Sequence, residues 1–208
     1  MTASTIGLRQ DVRPAPVGLG TAGLVDEPPV PATDQRAAFR QDLESYGPHA
    51  FLRERSVYAV ALYRLGRWND QRSGAARGRR ALSRLYWPAY RAVEAVTGIS
   101  LPKEAAFGPG LRIHHAGPVV VHPEVVVGAN CVLRHGVTLG ERAGKGAPVL
   151  GDDVELGAYA QVLGPVQVGT GAKIGALALV LHDVPADGVA YAPVATIVAP
   201  RGERLTDR

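Results

Sequence analysis

From Leu101 onward the apolar residues recur every six positions. They run Leu101, Phe107, Ile113, then Val121, Val127, Leu133 and Leu139, then Leu150, Leu156, Val162, Val168, Ile174 and Val180. Glycine follows immediately after seven of these thirteen anchors. Four residues beyond most of them stands a small or branched apolar residue, as at Ala105, Val125, Cys131, Val137, Val154, Ala160, Val166, Ala172 and Ala178. Offsets of zero and four share strand parity and point inward, whereas offset two, held by Lys103, Pro109, His115, Asp152 and Ala158, falls on a corner. This pattern predicts a hexapeptide solenoid, in which each repeat buries its apolar face only by stacking on the next. With about 18 residues to a three-sided coil, residues 101–180 supply about four coils. Two spacings break the count: Ile113 to Val121 is eight residues and Leu139 to Leu150 is eleven. The second places a protruding loop, ERAGKGAP, at residues 141–148.

Upstream the period is helical. Phe39, Leu43 and Tyr46 recur at spacings of four and three behind the N-cap candidates Thr33 and Asp34, and Gly47-Pro48 ends the element. A second helix is predicted from about Arg53 to Gln71, and a third from about Arg77 to Val96, closed by Gly98 and broken or kinked at Pro88. Residues 1–32, with five prolines and no sustained period, read as a flexible leader. The organisation expected is therefore leader 1–32, helical domain 33–99, solenoid 100–199 and tail 200–208.

Composition narrows the class. Twenty-five Gly and 16 Pro in 208 residues demand many regular turns, yet 46% hydrophobic and 20% charged residues exclude wholesale disorder. A lone cysteine excludes a disulfide scaffold and favours the cytoplasm. No apolar run is long enough for a membrane span, and the first residues lack the apolar core of a signal peptide. Residues 1–100 carry 14 Arg, no Lys and 9 acids, whereas 101–208 carry 9 basic and 10 acidic residues. The net +4 is thus N-terminal, and because Arg outnumbers Lys 20 to 3, Arg72, Arg77, Arg79, Arg80 and Arg84 read as the compositional bias of a genome rich in G and C rather than a nucleic-acid or anionic-membrane patch.

Counting faces through the two interruptions aligns Ile113, Leu133, Leu156 and Ile174 on one side of the prism. Their corner residues form a column of His115, His135, Ala158 and Ala176: two imidazoles at one end and two small residues beyond. Cys131 is at an inward offset and reads as core filler. His122, before Pro123, reads as a turn residue, and His49 and His182 lie off the column.

The stretches FGPGLRIHHAGPVVVHPEVVVGANCVLRHGVTLG, PVLGDDVELGAYAQVLGPVQVGTGAKIGALALVL and DVPADGVAYAPVATIV resemble the serine O-acetyltransferase family of hexapeptide acyltransferases. The resemblance implies a left-handed parallel β-helix preceded by helices, assembly into trimers or dimers of trimers, and acetyl-CoA as co-substrate bound between subunits. Carried across residue by residue, it makes His115 the general base, Ala158 and Ala176 the lining of the CoA cleft, and Gly140 and Lys173 further cofactor-proximal positions. A base is what the reaction needs, because a hydroxyl is a poor nucleophile and neutral imidazole suits proton removal near pH 7. Glu124 or a backbone carbonyl is the expected partner that fixes its tautomer. Four positions depart from the family. His114 replaces an Asp before the base, Ser100 replaces the Asp fifteen residues earlier, Gly146-Ala147 replaces an Arg-His pair, and YAPVATIV replaces a Gly-x-Pro-Ala-Arg motif. What remains around His115 is Arg112, His114, Arg134 and His135, and the Arg134-His135 pair is similar to a subgroup that acetylates sugars in exopolysaccharide synthesis. The acceptor expected is therefore L-serine or a sugar hydroxyl. Two other classes share the architecture: a three-histidine zinc enzyme, disfavoured because no His pair is spaced five apart, and a non-catalytic scaffold.

Overall fold

The computed structural model describes residues 34–72 and 76–195, with the side chains of 76, 77 and 79 outside that description. The leader, the 200–208 tail and the side chains of Arg77 and Arg79 therefore lie outside the described residues.

Three parallel sheets form the sides of a prism. The first stacks β1 (Ile99–Ser100), β4 (Val119–Val121), β7 (Thr138–Gly140), β10 (Gln161–Leu163) and β13 (Leu179–Val180). Four strands make the second: β2 (Ala106–Phe107), β5 (Val126–Val127), β8 (Val149–Leu150) and β11 (Gln167–Val168). The third contains β3 (Arg112–His114), β6 (Val132–Arg134), β9 (Glu155–Leu156), β12 (Lys173–Ile174) and β14 (Val189–Ala190). All thirteen anchors and all nine offset-four residues are buried, as the inward parity requires. The solenoid has about five turns rather than four, because β1 precedes the first anchor and β14 follows the last.

The helices are α1 (Gln35–Tyr46), α2 (Ala50–Arg53), α3 (Ser56–Gln71) and α4 (Ala76–Thr97). Asp34 caps α1 by accepting from the Arg36 N–H at 3.0 Å, and Gly47, at φ 76°, ends it. Three expectations are corrected. The second predicted helix is α3, starting at Ser56 rather than about Arg53, and a short helix the pattern did not predict, α2, precedes it. Pro88 does not break the third predicted helix, since α4 continues through it. It sits on the exposed side, so water can solvate the carbonyl its missing N–H would have bonded, while Tyr86 faces inward. Lastly, the buried face of α1 is Gln35, Ala38 and Asp42, and the apolar stripe Phe39, Leu43 and Tyr46 is only half-buried.

That polar face covers the open end of the solenoid. In a parallel strand, alternate residues offer their N–H and C=O to opposite neighbours, so a first coil leaves one set unpaired. In β3 the Arg112 N–H donates to the Cys131 carbonyl at 3.0 Å, which leaves Ile113 facing away from the stack. The Ile113 N–H donates to the Tyr46 hydroxyl at 2.8 Å, and its carbonyl accepts from Tyr46 at 3.3 Å and from Ser56 at 2.6 Å. Tyr63 does the same for β2, accepting from the Phe107 N–H and donating to the Ala105 carbonyl, both at 3.0 Å. Arg64 donates to the Phe107 and Gly108 carbonyls and to both oxygens of Asp42, which accepts from the Leu111 N–H at 2.8 Å. Side chains of the helices stand in for the missing coil.

Candidate active site at one corner of the solenoid

The third sheet carries the chain into a corner beside the first sheet. Its register aligns Ile113, Leu133, Leu156 and Ile174, so the sequence-derived column is correct. Beyond these residues lie His115, His135, Ala158 and Ala176. The imidazoles of His115 and His135 are 6.1 Å apart, and the ring of Tyr159 meets His135 edge-on at 5.3 Å. His114 and Arg134 are register partners on the outward parity of β3 and β6. His115 is exposed, His114 and His135 are half-buried.

The eight-residue spacing after Ile113 is spent at this corner. Between the pairs His114–Arg134 and Val120–Thr138, the first coil fits residues 115–119 where the second has only 135–137. Later coils turn through a left-handed residue at the third position past the anchor, Gly136, Tyr159 or Leu177, but the first coil does so at His115 itself, φ 66°. Histidine tolerates that region better than bulkier residues, at a cost of order 1 kcal/mol. The widened turn thrusts the imidazole out of the ladder. Gly136 has a steric reason as well: a Cβ there would collide with the Tyr159 ring.

Burial lowers the pKa of His114, with the guanidinium groups of Arg112 and Arg134 adding to the effect and Glu54 opposing it. Glu54, the residue closing α2, is near enough for its charge to act weakly on His114. Sequence reasoning missed it because it lies about sixty residues upstream, outside the repeats. Tyr159 was missed for a different reason: the repeat reading followed offset two, whereas this ring sits at offset three. The Arg112 guanidinium lies over the Tyr46 ring at 5.8 Å and is also near enough to His114 to lower its pKa.

Other candidates fall elsewhere. Glu124 is on the turn between β4 and β5, a different corner, and its N–H donates to His122 Nδ1 at 3.3 Å. Ser100 is hydrogen-bonded to Tyr90 at 3.0 Å. Among the described residues no hydrogen bond reaches the His115 imidazole, so neither expected partner fixes its tautomer. Gly140 ends β7, where a Cβ would press on Leu163 at 3.1 Å, and Lys173 stands exposed on β12, 3.4 Å from Glu155. Neither shares the corner column. Cys131 is fully buried, and burial pushes its thiol up to about 12, which suits core filler. Among the described residues no three His, Cys, Asp or Glu side chains gather to hold a metal ion, and no helix is long and apolar enough to cross a membrane.

Residues 147–182 match the family model described as bacterial transferase hexapeptide (six repeats). The serine acetyltransferase of Mycobacterium tuberculosis is 38% identical over 136 residues, 64% of this chain and 56% of that protein. That of Synechococcus elongatus is 41% identical over 95 residues, 44% of this chain and 39% of that one. A solved soybean serine acetyltransferase complexed with serine superposes with a TM-score of 0.65 at 30% identity, over 77% of this chain and 68% of its own. The chain belongs to the serine acetyltransferase family. Its solenoid is that family's left-handed parallel β-helix. The chain spans about half the length of the curated relatives it matches.

Proposed function

We propose that the chain transfers an acetyl group from acetyl-CoA to the hydroxyl of L-serine, with His115 as general base. The observation that carries this reading is the column itself, a thrust-out His115 beside His135, followed by Ala158 and Ala176 where a pantetheine arm needs a smooth track. His115 takes the hydroxyl proton as the oxygen attacks the thioester carbonyl. The tetrahedral intermediate collapses, the carbon–sulfur bond breaks, and the CoA thiolate recovers the proton. Lys173, on the outer face of the same sheet, offers a cation to the CoA phosphates, and Gly140 leaves room at the end of β7. Serine is favoured over a sugar by the likeness to serine acetyltransferases, one of them solved with serine, and Arg134, His114 and His135 offer donors to its carboxylate. The cofactor cleft is completed by another copy, giving a trimer or dimer of trimers. The exposed Tyr159, Leu177 and Leu179 beside the track, with Leu177 70% exposed, are the surface such a copy covers. Acetyl-CoA places the reaction in the cytoplasm.

The test is competitive. L-Serine is expected to show kcat/KM of ~10⁴ M⁻¹s⁻¹ or above and to exceed a panel of sugars and nucleotide sugars, with His115→Ala lowering kcat at least ~10²-fold. A sugar turned over faster than serine overturns the acceptor, and unchanged kcat in His115→Ala overturns the base.

A further inference from the structure

The serine acetyltransferase reading leaves the aim of His115 unexplained, because no side chain among the described residues bonds its ring and its backbone is held in the left-handed region. What is fixed is the strand that leads into it. β3 is the edge of its sheet, and an edge strand with unpaired outer groups is free to fray or shift. Ile113, two residues before His115, has both outer groups bonded by the helices: its N–H to Tyr46 at 2.8 Å, and its carbonyl to Tyr46 at 3.3 Å and Ser56 at 2.6 Å. Burial pushes the Tyr46 pKa up, so the hydroxyl keeps its proton and can both donate and accept. The Tyr46 ring also lies against Arg112, the first residue of β3.

We propose that Tyr46 and Ser56 are positioning residues for the His115 base. By clamping Ile113 they fix where the chain enters the widened corner, and so where the imidazole stands against the acceptor hydroxyl. This rests on the acetyltransferase reading and deepens it. Displacing a reacting group by about 1 Å can cost ~10²-fold in rate, so a clamp two residues away has leverage that a remote hydrogen bond lacks. Tyr63 is the built-in control, because it pairs the outer groups of β2 with the same chemistry but leads to no histidine.

Kinetics would compare Tyr46→Phe, Ser56→Ala and Tyr63→Phe, each alone and the first also with His115→Ala. Tyr46→Phe is expected to lower kcat about 10- to 100-fold with the acetyl-CoA KM within about twofold. Ser56→Ala should shift kcat in the same direction but less, and it serves as the probe if Tyr46→Phe does not fold. Tyr63→Phe should leave kcat within about twofold of wild type, and Tyr46→Phe should add no further loss once His115 is Ala. A Tyr46→Phe effect equal to that of Tyr63→Phe, or one that multiplies undiminished with His115→Ala, overturns the proposal. One readout is independent of turnover: the His115 imidazole NMR resonances should move in Tyr46→Phe and stay in Tyr63→Phe. Unmoved resonances overturn the clamp even in an active enzyme. Moved resonances in a protein that acetylates nothing uphold it and sink the acetyltransferase reading instead.

Discussion

Between β4 and β13 each coil meets other coils, and the interior is a ladder of Val, Leu, Ile and Ala whose polar backbone groups pair with the coils on either side. The first coil meets helices, and there the buried groups are Asp42, Arg64, Gln35 and Ser56, with tyrosine hydroxyls taking the place of a peptide ladder. The difference follows from periodicity. A coil offers N–H and C=O groups at the spacing of the next coil, but a helix has spent its own on itself, so a helical cap must satisfy the exposed edge through side chains. Apolar residues cannot do this, which is why the buried face of α1 is polar.

Breaking the cap is expected to have the largest effect. Asp42→Ala leaves the Arg64 guanidinium charged and buried at 2% exposure and strips the Leu111 N–H of its acceptor. Removing one partner of such a pair costs about 3–5 kcal/mol, to be read as a lower urea midpoint at unchanged slope. A loss under about 1 kcal/mol would mean the pair behaves as a surface ion pair and the cap is held by something else. The same experiment in the solenoid gives a different chemistry at similar size. Leu139→Ala removes a fully buried anchor from the middle of the first sheet, and a cavity of that kind costs about 3 kcal/mol. If Leu139→Ala costs less than about 1 kcal/mol, the coils collapse around the loss and the ladder is looser than its burial implies.

These two regions also divide what the sequence reveals. The thirteen anchors, their offset-four partners and the column of His115, His135, Ala158 and Ala176 were legible because a period of six converts position directly into face and height. The protruding loop and the extra residues after Ile113 were legible as breaks in that period. Nothing comparable marks the cap. Asp42 and Tyr46 look like the polar and apolar sides of an amphipathic helix, and their true roles depend on strands about seventy residues away. Glu54 belongs to the same blind spot. The left-handed turn at His115 was half visible: the spacing announced extra residues but not which one would carry the positive φ.

A smaller perturbation isolates the mimicry of a coil. Tyr63→Phe keeps the ring packed edge-on against Phe107, 5.5 Å between centroids, and removes only the hydroxyl shared by the Phe107 N–H and the Ala105 carbonyl. Leaving such buried groups unpaired costs about 1–3 kcal/mol, measured again by urea unfolding. No change in midpoint would show that water replaces the hydroxyl and that the first coil needs no side-chain partner there.

The smallest expected effect arises where the two regions meet, at His114, the last residue of β3. Burial, then Arg112 and Arg134, hold its pKa below the ordinary 6.5. In the folded chain this imidazole stays neutral to lower pH than it does unfolded. Below about pH 6.5 the unfolded chain therefore binds more protons, so the contribution of His114 to stability is complete above that value and is lost as pH falls toward the folded pKa. Glu54, the weakest of these influences, pulls the other way. Urea midpoints of wild type and His114→Gln at pH 7.5, 6.5 and 5.5 test this, because glutamine cannot titrate. Wild type should lose more stability than the variant between pH 6.5 and 5.5 and match its slope above. Parallel slopes throughout would mean that the corner solvates a charged imidazole as well as water does, and that Arg112 and Arg134 are turned away from it.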